Sequence, residues 1–370
     1  MPVNFQQLPH SGIRSLVSYS SAKSIDELAR EKGIKNIIKM ASNENPLGCS
    51  PKALAALHQM TFKMLSTYPS PNNHPLKSKL AKKLKVNDNQ LLLSNGSDHI
   101  FSLLLKTFTL HLGKHILLHD YAFCSYALLA IALNIPFHSV AINVDWEVNI
   151  NNLIEACNTQ TSIIFLANPN NPTGILIDRE KIKKILENIP ESTLLVIDEA
   201  YFEFAASQYN CNSIDWLVDH SNLVITRTFS KIYGLAGLRL GYALAHPSII
   251  DMLHRIQLPF SVNQAALIAA NAALDDEEFI NLSLKTNEEG MQQIRESFES
   301  LNISYLPSAA NFLTFDCKGN SAQLYNHLLD RGIIVRPLYY YKMDNYLRVT
   351  IGTKEQNMRF IKALNSYYHK

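Results

Sequence analysis

Short apolar runs alternate with amphipathic stretches through the middle of the chain. The runs cover residues 91–93, 116–118, 163–166, 194–197, 223–225 and 240–244. Between and before them, apolar residues recur at helical spacing in the stretches 51–59, 76–84 and 97–111. Short apolar strands that are bounded by turns and separated by helices are typical of a mostly parallel sheet with both faces covered. The pattern therefore predicts an α/β fold whose large domain has three layers (αβα).

The pattern changes after about residue 265. A long polar helix is predicted at 281–301, followed by short strand-like segments at 304–306, 311–315, 333–335 and 346–350 and by a final helix from 354. Strands and helices mixed in this way indicate a smaller α+β domain. Residues 1–45, with one amphipathic helix at 25–32, form an arm that we expect to join it. We thus predict an arm (1–45), a large domain (46–265) and a small domain (266–370).

Composition narrows the class of function. The 34 basic and 32 acidic residues give a net charge of +2, so no overall field favours nucleic acid or an anionic membrane. No apolar run approaches the roughly 18 residues of a membrane span, and the first residues do not resemble a secretion signal. The five cysteines are scattered without a Cys-x-x-Cys pair, which predicts neither disulfides nor a thiolate metal site. We expect a cytoplasmic protein that binds neither membrane nor nucleic acid.

Histidines give no metal site either. His111, His115 and His119 are spaced by four residues, but Gly113 interrupts any helix that would place them on one face. The sequence therefore predicts no metal cofactor.

Lys231 lies at the predicted end of a strand, between the apolar runs 223–225 and 240–244. Thr228 and Ser230 precede it, and Arg239 follows eight residues later. Hydroxyl and guanidinium groups suit a phosphate, and a primary amine beside them suits a phosphorylated aldehyde held as a Schiff base. Taken alone, the segment also fits a solvated lysine after a strand. Three further segments favour the Schiff base.

The first of these is Ser94-Asn-Gly-Ser-Asp, between a predicted strand and an apolar helix. Gly96 permits a tight turn, and the amides of Ser97 and Asp98 then point out of a helix N-terminus, where an anion is favoured. The segment predicts a phosphate-binding turn, although an ordinary helix cap has the same composition.

The other two segments also follow strands. In Asn168-Pro-Asn-Asn-Pro-Thr-Gly, two prolines fix the turn that carries Asn171, whose amide can donate to a phenolate oxygen. Asp198 ends an apolar strand, where a carboxylate is costly unless it is paired with a cation such as a protonated pyridine nitrogen. Tyr201 can present its hydroxyl to the same site. A magnesium-binding acidic pair is the competing interpretation, but the chain has no Gly-x-x-x-x-Gly-Lys-Ser/Thr loop.

The order of these motifs, with a trailing Gly-Leu-Arg-Leu-Gly, resembles the fold-type I pyridoxal-phosphate aminotransferases over nearly the whole chain. Within that superfamily the chain is most similar to the histidinol-phosphate aminotransferase family. The motifs that carry this similarity are Ile13-Arg-Ser-Leu-Val-Ser-Tyr, Ala41-Ser-Asn-Glu-Asn-Pro-Leu-Gly, Thr67-Tyr-Pro, Gly332-Ile-Ile-Val-Arg-Pro-Leu and Leu347-Arg-Val-Thr-Ile-Gly-Thr. The resemblance implies a pyridoxal 5'-phosphate cofactor.

The resemblance also implies a role for each site residue. Lys231 would form the Schiff base, Asp198 would pair with the ring nitrogen, and Asn171 and Tyr201 would bond the 3-oxygen. The cofactor phosphate would be surrounded by Ser97, Asp98, Thr228, Ser230 and Arg239. Phe123 would stack on the ring, and Tyr68 would reach the phosphate in the partner subunit of a homodimer with shared active sites. Tyr19, Arg336 and Arg348 would contact the substrate.

The activity implied is transamination of L-histidinol phosphate with 2-oxoglutarate, giving imidazole acetol phosphate and glutamate in histidine biosynthesis. Two departures from the family pattern are Tyr121-Ala-Phe in place of Pro-Thr-Tyr/Phe, and Ser18 in place of the proline before Tyr19. The alternatives are an aromatic amino-acid aminotransferase, a threonine-phosphate decarboxylase and a catalytically silent cofactor-binding regulator. The arginines Arg336 and Arg348 would grip a phosphate in the first activity and a carboxylate in the aromatic one, and a guanidinium accepts either.

Overall fold

A seven-stranded sheet forms the centre of the larger part of the chain. The structure is a computed structural model and describes residues 3–17, 23–110, 113–209 and 212–369. The strands are β1 (Ile38–Lys39), β2 (Leu91–Ser94), β3 (His115–His119), β4 (Phe137–Val140), β5 (Thr161–Ala167), β6 (Leu194–Asp198), β7 (Leu223–Thr228), β8 (Gly241–Ala245), β9 (Phe312–Asp316), β10 (Ile333–Ile334), β11 (Arg336–Pro337) and β12 (Tyr346–Thr350). The central sheet has the order β2-β8-β7-β6-β5-β3-β4. Only β8 runs antiparallel to its neighbours, so the predicted mostly parallel sheet is confirmed.

Helices cover both faces of this sheet. The α-helices are α1 (Ser11–Ser15), α2 (Ile25–Lys32), α3 (Pro51–His58), α4 (Phe62–Ser66), α5 (Pro75–Leu84), α6 (Ser97–Phe108), α7 (Cys124–Ala132), α8 (Ile150–Ala156), α9 (Arg179–Asn188), α10 (Phe202–Tyr209), α11 (Pro247–Ile256), α12 (Gln264–Ala273), α13 (Glu277–Ser300), α14 (Ser321–Leu329) and α15 (Lys354–Tyr368). Along β5, Ile164 belongs to a core cluster that includes residues of α3, α5, α8, α9 and α12, whereas its neighbour Phe165 belongs to a second cluster with residues of α6, α7 and α11. Alternate side chains of a strand thus enter two cores, and the predicted three-layer αβα architecture is confirmed.

A second, three-stranded antiparallel sheet follows in the last third of the chain, in the order β11-β12-β9. Its core includes residues of α13, α14 and α15. Helix α13 begins four residues earlier than predicted because the side chain of Asp276 caps it by accepting from the amide of Phe279. The predicted strand at 304–306 is only a single bridge from Tyr305 to Phe315, and Pro307, which has no N–H, cannot extend it.

The first 45 residues contact both the last third of the chain and a helix that covers the central sheet. Strand β1 pairs in parallel with β10, and Leu28 of α2 packs with Ile334. Helix α1 instead lies against α7, where the His10 ring nitrogen Nε2 is 3.1 Å from the carbonyl oxygen of Ala132. The domain boundaries at residues 46 and 266 stay a prediction. Over the described ranges, none of the helices has the length and apolar character that a membrane crossing requires.

Candidate active site

A cavity of about 210 Å³ lies at the carboxyl edge of the central sheet, where residues of the second sheet close it. Most of the side chains predicted from the sequence line this cavity: Ser97, Asp98, Phe123, Asn171, Asp198, Tyr201, Thr228, Ser230, Lys231, Arg239, Arg336 and Arg348. The register of the sheet explains much of the grouping. Ala167, Asp198 and Thr226 lie side by side near the ends of β5, β6 and β7, so the loops that follow these strands share one edge.

Lys231 is held on the loop after β7, and its Nζ donates to the carbonyl oxygen of Ser42 at 3.1 Å. Burial lowers the pKa of this amine to about 8, with a further lowering contribution from the charge of Arg348 and an opposing one from Glu44. A substantial fraction of the amine is therefore neutral near pH 8. A neutral primary amine is a nucleophile and a proton acceptor.

Asp198 is only 4% exposed at the end of β6. Its Oδ2 accepts from the hydroxyl of Tyr126 at 2.9 Å, and its Oδ1 accepts from the hydroxyl of Thr226 at 3.2 Å. Burial raises the pKa of this carboxyl to about 7, against the lowering effect of the Tyr126 hydrogen bond. A cation entering the cavity beside the carboxylate would keep it ionised.

An anion-binding cradle forms one end of the cavity. The N-terminus of α6 presents the amides of Ser97 and Asp98, as the motif predicted. Gly96, at a φ of 80°, lets Arg239 approach, because a Cβ there would lie 2.7 Å from Nη2 of the arginine. The Arg239 guanidinium donates to the hydroxyl of Ser230 at 3.3 Å.

Thr228 completes this cradle from the end of β7. Its hydroxyl accepts from the amide of Ser230 at 3.0 Å and so fixes the loop that carries the serine. Hydroxyls, amides and a guanidinium that converge in this way suit a phosphate group.

Two further polar side chains, those of Tyr201 and Asn171, line the cavity. The Tyr201 hydroxyl accepts from Nδ2 of Asn43 at 2.8 Å, and burial raises the pKa of Tyr201 to about 12. This hydroxyl therefore stays protonated and can donate. Nη1 of Arg348 donates to Oδ1 of Asn171, which leaves the amide NH₂ as the group that Asn171 offers to a ligand.

Arg336 and Arg348 lie directly opposite each other on the antiparallel strands β11 and β12. Both side chains line the cavity, and Nη2 of Arg348 donates to the carbonyl oxygen of Ala41 at 2.7 Å. Like charges at opposite positions of a sheet repel, so an anion bound between them is favourable. This end of the cavity is suited to a second anionic group.

Phe123 lies immediately before α7 and packs edge-on against Tyr126, with ring centroids 5.6 Å apart. It lines the cavity, and its stacking on a ligand ring stays a prediction. Tyr68 does not line this cavity: it is 81% exposed and stacks on Phe260 at 4.5 Å. Tyr19 lies outside the described residues.

The sequence analysis missed several residues of the site. Asn43 falls inside the Ala41-Ser-Asn-Glu-Asn motif, which gave a family resemblance but no role. Tyr126 lies in an apolar helix. The only signal in the sequence was that a buried tyrosine needs a hydrogen-bond partner for its hydroxyl. Cys124 and Tyr341 line the cavity without any signal in their local sequence.

The fold and the lysine-centred cavity are those of an aminotransferase. The family model described as "Aminotransferase class I and II" matches residues 35–364, and the chain belongs to this family. Among curated proteins, the chain is 65% identical over 368 residues to histidinol-phosphate aminotransferase 2 of Legionella pneumophila (strain Lens), covering all of both chains. It is 39% identical over 362 residues to histidinol-phosphate aminotransferase 1 of Nitrosococcus oceani, covering 98% of this chain and 97% of the relative.

A solved structure extends the comparison to three dimensions. Histidinol-phosphate aminotransferase from Sinorhizobium meliloti, crystallised in complex with pyridoxal-5'-phosphate, superposes with a TM-score of 0.85 at 26% identity. The match covers 98% of each chain, so the whole architecture is shared.

Proposed function

We propose that this chain catalyses the pyridoxal-phosphate-dependent transamination of L-histidinol phosphate with 2-oxoglutarate, giving imidazole acetol phosphate and glutamate in histidine biosynthesis. The observation that carries the proposal is the pair Arg336 and Arg348, opposite each other in the cavity that also holds Lys231. The name of the 65% identical relative supports the same activity. No observation favours an aromatic amino-acid aminotransferase, a threonine-phosphate decarboxylase or a silent regulator.

The residues present fit pyridoxal 5'-phosphate. The cradle made by the α6 amides, Ser230 and Arg239 is suited to its phosphate, and the buried carboxylate of Asp198 calls for a cation such as the ring nitrogen. Tyr201 and the Asn171 amide would hold the 3-oxygen, and Phe123 would cover the ring. When bound, the cofactor supplies an aldehyde for amines and a protonated ring that withdraws electrons from the substrate Cα.

Lys231 has two tasks in this proposal: holding the aldehyde at rest and moving a proton during turnover. Its Nζ, with a pKa lowered to about 8, is partly neutral near neutral pH and can accept the proton from the substrate Cα. The carbonyl of Ser42 orients the amine at 3.1 Å. The same Nζ would then be placed to give that proton to the C4′ carbon of the cofactor.

Asp198 acts by its charge. Hydrogen bonds from Tyr126 and Thr226 hold the carboxylate in place, and an ionised carboxylate favours the protonated form of a ring nitrogen next to it. The rate of Cα deprotonation depends on that positive charge.

The arginine pair would select the substrate by its phosphate. A phosphate dianion offers three acceptor oxygens and more charge than a carboxylate, so two guanidiniums bind it more tightly. Glutamate and 2-oxoglutarate would use the same pair through a carboxylate during the second half of the cycle.

We also propose that the active unit is a homodimer in the cytoplasm. Tyr68 is exposed and stacks on the exposed ring of Phe260, and Phe62, Leu65 and Leu258, which are near these two residues in the sequence, are exposed as well. Exposed apolar side chains are found at protein interfaces. From such an interface Tyr68 could reach the phosphate cradle of the partner.

A substrate panel tests the proposed function. The purified protein, loaded with pyridoxal phosphate, is assayed with histidinol phosphate, phenylalanine, tyrosine and histidine as donors and 2-oxoglutarate as acceptor. We expect the specificity constant for histidinol phosphate to exceed that for phenylalanine by orders of magnitude. An equal or higher value for phenylalanine would make the protein an aromatic aminotransferase instead.

A further inference from the structure

The turn between β11 and β12 brings one tyrosine into the cavity. Tyr339, Tyr340 and Tyr341 follow each other there, but Tyr339 and Tyr340 are 52% and 41% exposed, while Tyr341 lines the cavity. The Tyr341 hydroxyl accepts from the backbone N–H of Cys124 at 3.4 Å. Accepting that bond leaves the O–H proton for donation, either to the Cys124 thiol beside it or to a ligand in the cavity.

The remaining polar side chains of the cavity are already engaged or have roles at the cofactor. Asn43 donates through Nδ2 to Tyr201, and its Oδ1 accepts from the hydroxyl of Thr350 at 3.1 Å. Ser42 offers its carbonyl oxygen to Lys231. The Tyr341 hydroxyl, with the Cys124 thiol beside it, is therefore the polar group of the described lining that the proposed function does not use.

Histidinol phosphate has three polar parts. The amine is directed to Lys231 and the phosphate to Arg336 and Arg348, which leaves the imidazole ring without a partner. Tyr341 lines the same cavity as the two arginines, so its hydroxyl faces the space that a substrate held by its phosphate would occupy. Near pH 8 an imidazole is mainly neutral and has one nitrogen that accepts a hydrogen bond.

We propose that Tyr341 determines specificity by donating its hydroxyl proton to the imidazole ring of the substrate. The inference deepens the proposed function and rests on it. Burial raises the pKa of Tyr341 well above its usual range, which keeps the donor proton in place across the working pH. A site that hydrogen-bonds a substrate ring rejects an analogue without the acceptor, because its own buried group is then left unpaired.

The surroundings of Tyr341 hold its hydroxyl in position. Its amide donates to the carbonyl oxygen of Leu338 at 2.9 Å. Its ring packs in a cluster with Leu338, Met343 and Trp146, and Trp146 in turn lies 5.1 Å from Tyr121. Residues from distant parts of the chain thus hold the ring in place. A donor that is already held in place loses little conformational freedom when the substrate binds.

The test compares Tyr341→Phe with Tyr340→Phe, a matched control on the exposed side of the same turn. Phenylalanine keeps the ring and its packing, and the absorbance of the bound cofactor with a thermal melt verifies that the variants fold. We expect Tyr341→Phe to weaken histidinol-phosphate binding to the holoenzyme by roughly tenfold, measured by spectral titration and as KM, with kcat nearly unchanged. The specificity constant for phenylalanine, whose ring has no acceptor, should rise in Tyr341→Phe, because no buried hydroxyl is then left unpaired, and should stay the same in Tyr340→Phe.

The ratio of the two specificity constants decides the outcome. An unchanged ratio in Tyr341→Phe, whether both constants fall together or neither falls, overturns the role of Tyr341. If the wild-type protein fails to turn over histidinol phosphate at all, the proposed function is overturned and this inference with it. An active wild type with an unchanged ratio in the variant overturns only the inference.

Discussion

The hydroxyl of Tyr126 donates to Oδ2 of Asp198 at 2.9 Å, and both residues are buried. The Tyr126 ring is stacked on Phe165, with centroids 4.7 Å apart and an interplanar angle of 13°. A helix of the large core thus positions the carboxylate that the proposed cofactor needs. The hydrogen bond lowers the pKa of Asp198, which burial raises.

Tyr126→Phe should reduce kcat by about tenfold. A hydrogen bond to a charged group contributes about 1.5–3 kcal/mol, and its loss should raise the Asp198 pKa by roughly one unit or more. Less of the carboxylate is then ionised at neutral pH, so we expect the acidic limb of the kcat profile to move to higher pH. The control is Tyr305→Phe, which removes a tyrosine–carboxylate bond of 3.0 Å to Glu299 far from the cavity. A profile identical to wild type would show that Tyr126 does not position Asp198.

Asp198→Asn should raise the thermal stability of the protein and lower its transamination rate. The folded pKa of about 7 is above the value of 3.8 for an unperturbed aspartate, so the native carboxylate costs stability progressively as pH rises from about 4 to about 7. As the pH rises from about 4 to about 7, we expect the cofactor-free variant to become increasingly more stable to heat than wild type, and above pH 7 the difference should stay constant. Transamination by the variant should fall to a small fraction of the wild-type rate. Melting curves from pH 4 to 8 measure this, with the exposed Asp251→Asn as the control. A stability difference independent of pH would contradict the buried-carboxylate argument.

Cofactor uptake should depend on the protonation of Lys231. The neutral amine reacts with an aldehyde, so the rate at which the apoenzyme takes up pyridoxal phosphate should rise with pH through an apparent pKa of about 8. Glu44→Gln removes a carboxylate that raises this pKa and should shift the rise to lower pH. Glu31→Gln, whose carboxylate pairs with Lys23, is the matched control. A rise that remains in place in Glu44→Gln would exclude the influence of Glu44.

Mixing two poorly active variants tests whether the two subunits share their sites. Lys231→Ala should abolish transamination, and Tyr68→Ala should weaken cofactor retention by about 1.5–3 kcal/mol, the value of a hydrogen bond to a charged group. If Tyr68 reaches across a two-fold interface, a heterodimer has one site with both defects and one site with neither. Activity per verified heterodimer should therefore recover to about half of wild type. No recovery would mean that Tyr68 does not serve the partner's site.

The central sheet could be predicted because strands such as β5 and β6 are short, fully apolar runs that end at turn-forming residues. The polar residues after them, among them Asn171 and Asp198, were predicted to share a site because the carboxyl ends of parallel strands meet at one edge. The second sheet gave a weaker signal. Strand β11 is only two residues long, so the opposition of Arg336 and Arg348 depends on a pairing that the local pattern does not encode.

Residues that reach the cavity through distant packing could not be predicted. Tyr126 follows an ordinary helical pattern, and only the burial of α7 against the sheet directs its hydroxyl to Asp198. Tyr341 is one of three consecutive tyrosines, and the sequence gives no reason for the third to be the one that turns inward. Long-range contacts decide both positions.

Asn43 joins segments from four parts of the chain. Its amide donates to the hydroxyl of Thr350 at 2.9 Å, its carbonyl oxygen accepts from Asn311 at 3.1 Å, and its side chain donates to Tyr201 at 2.8 Å. Thr350 follows Lys231 by 119 residues in the sequence. During synthesis on the ribosome, this junction can form only after residue 350 has emerged. A nascent chain therefore holds the sheet and Lys231 long before it has a finished catalytic pocket.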